Sequence, residues 1–269
     1  MATTARRTSP GYRCTECGWT AVKWVGRCGE CQAWGTVVEA EAAPAGPATR
    51  ATTVTSPAMP IPDVSASAAA RSATGVGEFD RVLGGGLVPG AVILLAGEPG
   101  VGKSTLLLDV AARTAREGGR VLYVTGEESA GQVRLRAERI GALESRVLLA
   151  AETDLGAVLA HLDHAEPSLV MIDSIQTIAS SQVEGTPGGV GQVREVSSAL
   201  IQAAKTRGIP MVLVGHVTKD GSVAGPRIVE HLVDVVCQFE GDQHSPLRLL
   251  RALKNRFGSV DEVGCFQLV

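Results

Sequence analysis

The stretch Gly97-Glu98-Pro99-Gly100-Val101-Gly102-Lys103-Ser104-Thr105 has the spacing of a phosphate-binding loop: a glycine, four residues, then Gly-Lys-Ser. Glycines let the backbone wrap closely around an anion, and successive N–H groups then point inward. A helix starting at Lys103 would add its positive end. Lys103 is expected on the β- and γ-phosphates of ATP, and the Ser104 hydroxyl on Mg²⁺. The competing reading is a glycine turn that happens to contain Lys-Ser.

Two further acidic sites stand at the ends of apolar runs. Leu169-Val170-Met171-Ile172-Asp173 has the form of a buried strand ending in a carboxylate. Behind a full phosphate loop, that places Asp173 to hold Mg²⁺ opposite Ser104. Arg120–Thr125 reads as another strand and runs into Gly126-Glu127-Glu128-Ser129. Carboxylates there are placed to polarise a water attacking the γ-phosphate. Alternatively, both glutamates only decorate a helix start, where acids are favoured, with Ser129 as the cap. Ser174, Gln176 and His216 fall on the same sheet edge, where the state of the γ-phosphate would be felt.

A second chemistry sits near the N-terminus. Cys14-x-x-Cys17 and Cys28-x-x-Cys31 are two knuckles with ten residues between them. Together they offer four thiolates to tetrahedral Zn²⁺; two disulfides or a redox pair are the alternative. A segment this short cannot bury enough surface to fold alone, so metal is expected to supply its folding energy. Trp19, Trp24 and Trp34 all lie here, as the small core of the module or as a contact surface for DNA or a partner protein. Cys237 and Cys265, isolated in apolar segments, read as small core residues.

The elements that must position these groups follow from pattern. Ala91–Ala96 is a buried strand leading into the loop, and Leu106–Arg116 continues the helix to a stop at Gly118-Gly119. Further strands are expected at Val147–Ala150, Ile209–Gly215, Leu232–Glu240, Leu247–Asn255 and Gly264–Val269. Helices are expected at Ala130–Ile140, from Thr153 or Asp154 to His164, and at about Val193–Arg207. His161 and His164 on one of them read as a solvated face rather than a metal pair. The alternation predicts an α/β fold, a mostly parallel sheet with helices on both faces and the ligand at the C-terminal strand ends. The organisation is a tail at 1–11, a ribbon at 12–38, a flexible Ala/Pro-rich linker at 39–70 and an ATPase domain at 71–269.

Two glycine-rich loops, Ile178–Gly191 and Lys219–Arg227, would lie at one end of the sheet. With Lys219 and Arg227 they would line a channel for a phosphate backbone, or they are ordinary connections. The basic cluster Lys254-Asn255-Arg256-Phe257-Gly258 is poorly placed for the chain's own nucleotide. It would reach a neighbour's in a ring, as a cation supplied in trans, or form a solvated turn. The formal net charge is −3, so a nucleic-acid partner would need a local basic patch. No apolar run reaches membrane-span length, and Met1–Pro10 has no apolar stretch behind its arginines; a cytoplasmic location is expected.

The ribbon, the glycine-rich approach Gly84–Gly90, the loop Gly97–Thr105, Gly126–Ser129, Leu169–Thr177, Lys219–Arg227 and Lys254–Gly258 together resemble the bacterial RadA (Sms) family of RecA-like ATPases. The resemblance covers nearly all of the chain except the linker. It implies a ring-forming, hexameric motor that binds single-stranded DNA and hydrolyses ATP. Such motors drive branch migration in recombination and in the repair of DNA damage, a stress response. It implies Glu127 as the group that activates water, Glu128 in support, and Lys254 and Arg256 coupling DNA to neighbouring ATPase sites. Lys219 and Arg227 then lie on DNA-facing loops, and a recombinase or replicative helicase is an implied partner. Alternatives are another RecA-like hexameric motor (a replicative helicase or clock-type ATPase), a small-molecule kinase, and an adaptor gated by ATP binding alone. The family usually continues into a C-terminal domain resembling Lon protease, whereas this chain stops at Val269, as a fragment or a shortened form.

Overall fold

The computed structural model describes residues 11–39, 57–64, 70–216, 229–241 and 245–267. The chain divides into two compact units, Met1–Ile61 and Pro62–Val269.

In the first unit, β1 (Tyr12–Cys14), β2 (Thr20–Ala21) and β3 (Val37–Glu39) form an antiparallel sheet in the order β2-β1-β3. Its buried centre is only Cys14, Cys28 and Val37, with Tyr12 and Trp19 packed against it. The tryptophans divide, which corrects the expectation of a shared core. Trp19 lies so close to Gly29 that a Cβ there would stand 2.7 Å from its ring. Trp24 and Trp34 are 62% and 75% exposed. So small a module has one interior position for an indole, and the sulfurs occupy the rest. The linker expected over 39–70 falls largely outside the described residues, and its described residues, 39, 57–64 and 70, are all exposed.

The second unit is built on an eight-stranded sheet. Its elements in chain order are α1 (Gly77–Val82), β4 (Val92–Gly97), α2 (Lys103–Arg116), β5 (Val121–Thr125), α3 (Ala130–Arg139), β6 (Val147–Ala151), α4 (Leu155–Ala165), β7 (Leu169–Asp173), α5 (Val190–Arg207), β8 (Met211–His216), β9 (Val235–Gly241), β10 (Leu247–Asn255) and β11 (Val263–Gln267). The strand order is β11-β10-β9-β4-β8-β7-β5-β6. Strands β4 to β9 pair in parallel, and β10 runs antiparallel to both β9 and β11. This is the mostly parallel sheet expected from the strand–helix alternation.

The apolar runs are continuous because both faces of the sheet are covered. Along β4, Ile93 and Leu95 join the core that includes Phe79 of α1, Leu107 of α2 and Val133 of α3. Val92, Leu94 and Ala96 join the opposite core, with Val158 of α4 and Val196 of α5. Fully burying each such aliphatic side chain contributes about 1.5–3 kcal/mol, so β4 is anchored from two sides.

Helix boundaries follow local chemistry. Ser129 caps α3 in a capping box: its Oγ accepts from the Gln132 N–H, and Gln132 Oε1 accepts from the Ser129 N–H. Asp154 caps α4 by accepting from the Ala157 N–H at 2.9 Å. α5 begins at Val190, three residues earlier than its spacing suggested, because Gly189 serves as the N-cap of a longer helix. Cys237 is buried, as expected, but Cys265 is exposed: it lies on β11, which pairs with β10 alone among the described residues and turns that side chain outward.

Candidate functional site

β4, β8, β7 and β5 are neighbours in the sheet and point the same way. Their C-terminal ends therefore carry Gly97–Thr105, His216, Asp173–Gln176 and Gly126–Ser129 to one edge. The chain scatters these groups over 120 residues of sequence, and strand order alone gathers them.

The loop is held from beneath. Gly97 admits no side chain, since a Cβ would lie 2.4 Å from the Phe239 carbonyl oxygen. Gly102, at φ +108°, turns the chain into α2 in the left-handed region that glycine permits. Lys103 is buried, and its Nζ donates to the carbonyls of Gly97 and Glu98, both at 2.9 Å. Burial pulls the Lys103 ammonium down to about 8, against the opposing pull of the Asp173 and Glu127 carboxylates. Ser104 and Thr105 follow in the first turn of α2, both half-buried. Glu98, Pro99 and Gly100 are exposed, and Val101 is buried.

Asp173 is buried at the end of β7, where the Tyr123 hydroxyl donates to its Oδ2 at 2.7 Å. Burial, then the Asp173 charge, raises the Tyr123 phenol well above its ordinary value, so it stays a donor. Oδ2 of Asp173 is thus committed to Tyr123. Glu127 reaches across the strand ends, and its Oε1 accepts from the Ser174 hydroxyl and from His216 Nε2 at 2.8 Å. Burial pushes its carboxyl up, but the Ser174 bond, the His216 ring and Lys103 together carry it below the usual range. It is an anion at neutral pH. Glu128 turns elsewhere: both its oxygens take the Arg136 guanidinium at 2.6 Å. Gln176 donates to the His216 carbonyl at 3.4 Å. Its Oε1 and His216 Nδ1 are buried without a partner among the described residues. Buried polar atoms of this kind ask for one.

Three features were not read from the sequence. Arg248 on β10 is buried, and its Nε donates to the Val101 carbonyl at 3.0 Å, bracing the loop. Its only signal was a charge at an inward position of an apolar strand. Tyr123 was hidden in the same way inside β5. The third is a cavity of about 400 Å³ beside the loop, lined by Gly102, Thr105, Asp109, Ile140, Phe239 and Phe266.

Lys254 and Arg256 do not join this site within the chain. Lys254 pairs with Val236 at the start of β9, toward the opposite end of the sheet. Its Nζ donates to the carbonyls of Val233 and Glu230 at 2.7 and 2.9 Å, while Arg256 pairs with buried Asp234 at 3.0 Å. His161 and His164 bond locally, to Glu152 and to the Ala160 carbonyl. Lys219, Arg227 and their loop lie outside the described residues.

In the ribbon, the Sγ atoms of Cys14, Cys17, Cys28 and Cys31 all lie within 4.8 Å of one another. The Thr36 hydroxyl, then the Cys17 backbone, lower the Cys14 thiol to about 6. The Ala33 backbone favours a Cys31 thiolate, but burial and the neighbouring sulfurs oppose it and raise the group to about 12. Four thiols converging with no disulfide among them fit a thiophilic divalent cation, which relieves that repulsion.

An AAA domain model matches residues 62–222, well over half of the chain. The chain belongs to this AAA domain family. A rubredoxin metal-binding domain model matches residues 12–39, the four-cysteine ribbon, and assigns it to zinc-ribbon metal sites. The DNA repair protein RadA of Mycolicibacterium smegmatis is 56% identical over 96% of this chain, which spans 57% of that protein. The DNA repair protein RadA of Bacillus subtilis is 46% identical over 97%, with 58% of its length spanned. The chain thus spans little more than half the length of these relatives. They bear out the resemblance drawn from the ribbon and from Lys254–Gly258. Among solved structures, the RadB recombinase aligns over 73% of this chain and 96% of its own, at TM-score 0.56 and 24% identity. A second solved ATPase domain aligns over 71% of this chain and 85% of its own, at TM-score 0.59 and 14% identity. Both share the fold of the AAA domain, and the RecA-like fold expected from sequence stands. Among the described residues, no helix is long and apolar enough to cross a membrane.

Proposed function

We propose that this chain is a DNA-stimulated ATPase of homologous recombination and DNA repair. The observation that carries the reading is the convergence of Lys103, Asp173, Glu127 and His216 at the ends of four adjacent parallel strands. Lys103 and the amides of Gly97–Thr105 take the phosphates. Ser104 and Asp173 hold Mg²⁺, which when bound neutralises charge developing on the phosphoryl oxygens. The fit rests on Asp173, a buried carboxylate with one oxygen committed to Tyr123. Glu127, fixed through Oε1, orients the attacking water and accepts its proton. The cavity beside Thr105 and Phe266 takes the nucleobase. Glu128 supports the site at a remove, through Arg136 and the field around Tyr123.

Lys254 and Arg256, remote from their own loop, act on a neighbour's nucleotide in a homo-oligomeric ring. Lys219 and Arg227 contact single-stranded DNA, and the energy of hydrolysis drives branch migration. The supporting observation is that the relatives, named DNA repair protein RadA, match across the ribbon and the nucleotide site together. A recombinase or replicative helicase is the expected protein partner, and the cytoplasm the expected location.

The test is phosphate release from Mg·ATP by the purified chain, with and without single-stranded DNA. A rate that rises with DNA supports the reading. A chain that releases phosphate but ignores DNA is another RecA-like enzyme, and one that binds ATP without releasing phosphate is a gated adaptor.

A further inference from the structure

Asp234 is a buried carboxylate at the end of β4 opposite the phosphate loop. Its Oδ2 accepts from the Val92 N–H at 3.1 Å, and its own N–H donates to the Val92 carbonyl at 3.0 Å. Two cations from distant parts of the chain share it. Lys205, in the last turn of α5, sets its Nζ 3.2 and 3.0 Å from Oδ1 and Oδ2. Arg256 donates to Oδ1 at 3.0 Å. Neither cation pairs with another carboxylate among the described residues.

A buried carboxylate needs one opposite charge. This one has two, and both side chains are half exposed, Lys205 at 50% and Arg256 at 52%. The group therefore carries one positive charge in excess, where solvent reaches it. A guanidinium has five N–H donors and an ammonium three, more than one carboxylate accepts. The turn that carries Arg256 is fixed too. The Arg256 N–H donates to the Asp234 carbonyl at 3.1 Å. Asn255 accepts from the Phe257 N–H at 2.9 Å and donates to the carbonyl of Leu83, the C-cap of α1, at 3.4 Å. The entropy of ordering two long side chains is thus lost in folding, not when an anion arrives.

Such a pair suits phosphate oxygens. The chain's own nucleotide cannot supply them: β4 runs from Val92 to Gly97, so its phosphate loop begins about 16 Å away. We propose that Lys205 joins Arg256 in binding the phosphates of a neighbouring copy's nucleotide, with Asp234 as the positioning residue that holds both. The inference rests on the role of Arg256 in trans and adds Lys205 and Asp234 to it.

The test mixes variants of the full chain and reads phosphate release at saturating ATP and single-stranded DNA. Lys205→Gln binds ATP like the parent and releases phosphate at least tenfold more slowly, while Lys205→Arg keeps most of the rate. An equal mixture of Lys205→Gln with Lys103→Ala, itself inactive, recovers up to about a quarter of the parental rate, the share of contacts in a ring that set an intact loop against intact cations. A salt bridge that merely fastens α5 to the sheet acts within its own copy, so a neighbour cannot restore it. Asp234→Asn keeps an acceptor for Val92 and behaves like Lys205→Gln; if it misfolds, half-exposed Lys205 carries the test. Arg256→Gln mixed with Lys103→Ala is the control. Recovery there but not for Lys205→Gln overturns this proposal alone, and recovery in neither removes the trans reading with it. Phosphate release by Lys205→Gln at the parental rate also overturns it, and weaker oligonucleotide binding by that variant would then assign the cations to a nucleic-acid backbone.

Discussion

His216 Nε2 stands 2.8 Å from Glu127 Oε1, the oxygen that also accepts from the Ser174 hydroxyl. Both bonds use that one oxygen. The end of β8 thus holds a carboxylate that originates at the end of β5, with β7 between them. His216 precedes Lys219 by three residues in sequence. The predicted consequence is that His216→Ala lowers kcat roughly ten- to a hundredfold through misplacement, with little change in KM. His216→Gln, whose amide restores a donor near Nε2, recovers most of the loss. Equal kcat in all three proteins would remove His216 from the site.

Lys103 sets a pH limit on binding. Burial holds its ammonium at about 8 rather than 10.5. The folded chain therefore loses this proton as pH rises through about 8, while the unfolded chain keeps it to about 10.5. Between those values the native fold gains stability relative to the unfolded chain, because a buried charge is relieved. The triphosphate, however, needs the charge. Nucleotide affinity should fall above about pH 8, and binding at about pH 9 should take up a proton. Calorimetry in buffers of different ionisation heat reads that uptake directly. Lys103→Ala should abolish turnover and the proton uptake together.

Arg248 is expected to act on affinity rather than chemistry. Its side chain ties the Val101 carbonyl to β10 and also donates to the Ser245 and Leu247 carbonyls at 2.6 and 2.9 Å. Arg248→Met leaves a loop carbonyl unsatisfied, a loss of about 1–3 kcal/mol. Nucleotide Kd should rise about tenfold or more, with kcat at saturation changed far less. An unchanged Kd in a folded variant would show that the loop holds its shape unaided.

Metal removal should separate the two units. The ribbon buries almost nothing besides two of its own cysteines and Val37, while the large sheet has two extensive cores. All three tryptophans lie in the ribbon, so indole emission reports on it selectively. Strong chelator should red-shift the Trp19 emission and leave the thermal transition of the AAA domain in place. Unchanged emission under chelation would mean that the ribbon folds without metal.

Much of this was legible because the chemistry is local in sequence. Gly97–Thr105 announces itself through one contiguous spacing, the ribbon through paired knuckles, and Asp173 and Glu127 through their positions at strand ends. Groups that act through the sheet were not legible. Arg248 reaches the loop from a strand 147 residues further along the chain, and its neighbours in sequence say only that β10 is apolar. The exposure of Trp24 and Trp34 was missed because composition suggests a core, whereas only the packed module shows how little interior it has. Glu127 and Glu128 are adjacent and chemically identical. Their separation, one toward His216 and one onto Arg136, depends on which way each side chain leaves the end of β5.

The most direct measurement compares the parent chain with Glu127→Gln in two assays on one preparation, equilibrium binding of ATP with magnesium and steady-state phosphate release. The substitution keeps size and hydrogen bonding but removes the base. Binding should match the parent within about twofold, while phosphate release falls about 10²- to 10⁴-fold. Phosphate release at the parental rate from a variant that binds ATP normally would contradict the account, because the group placed to activate water would then be dispensable.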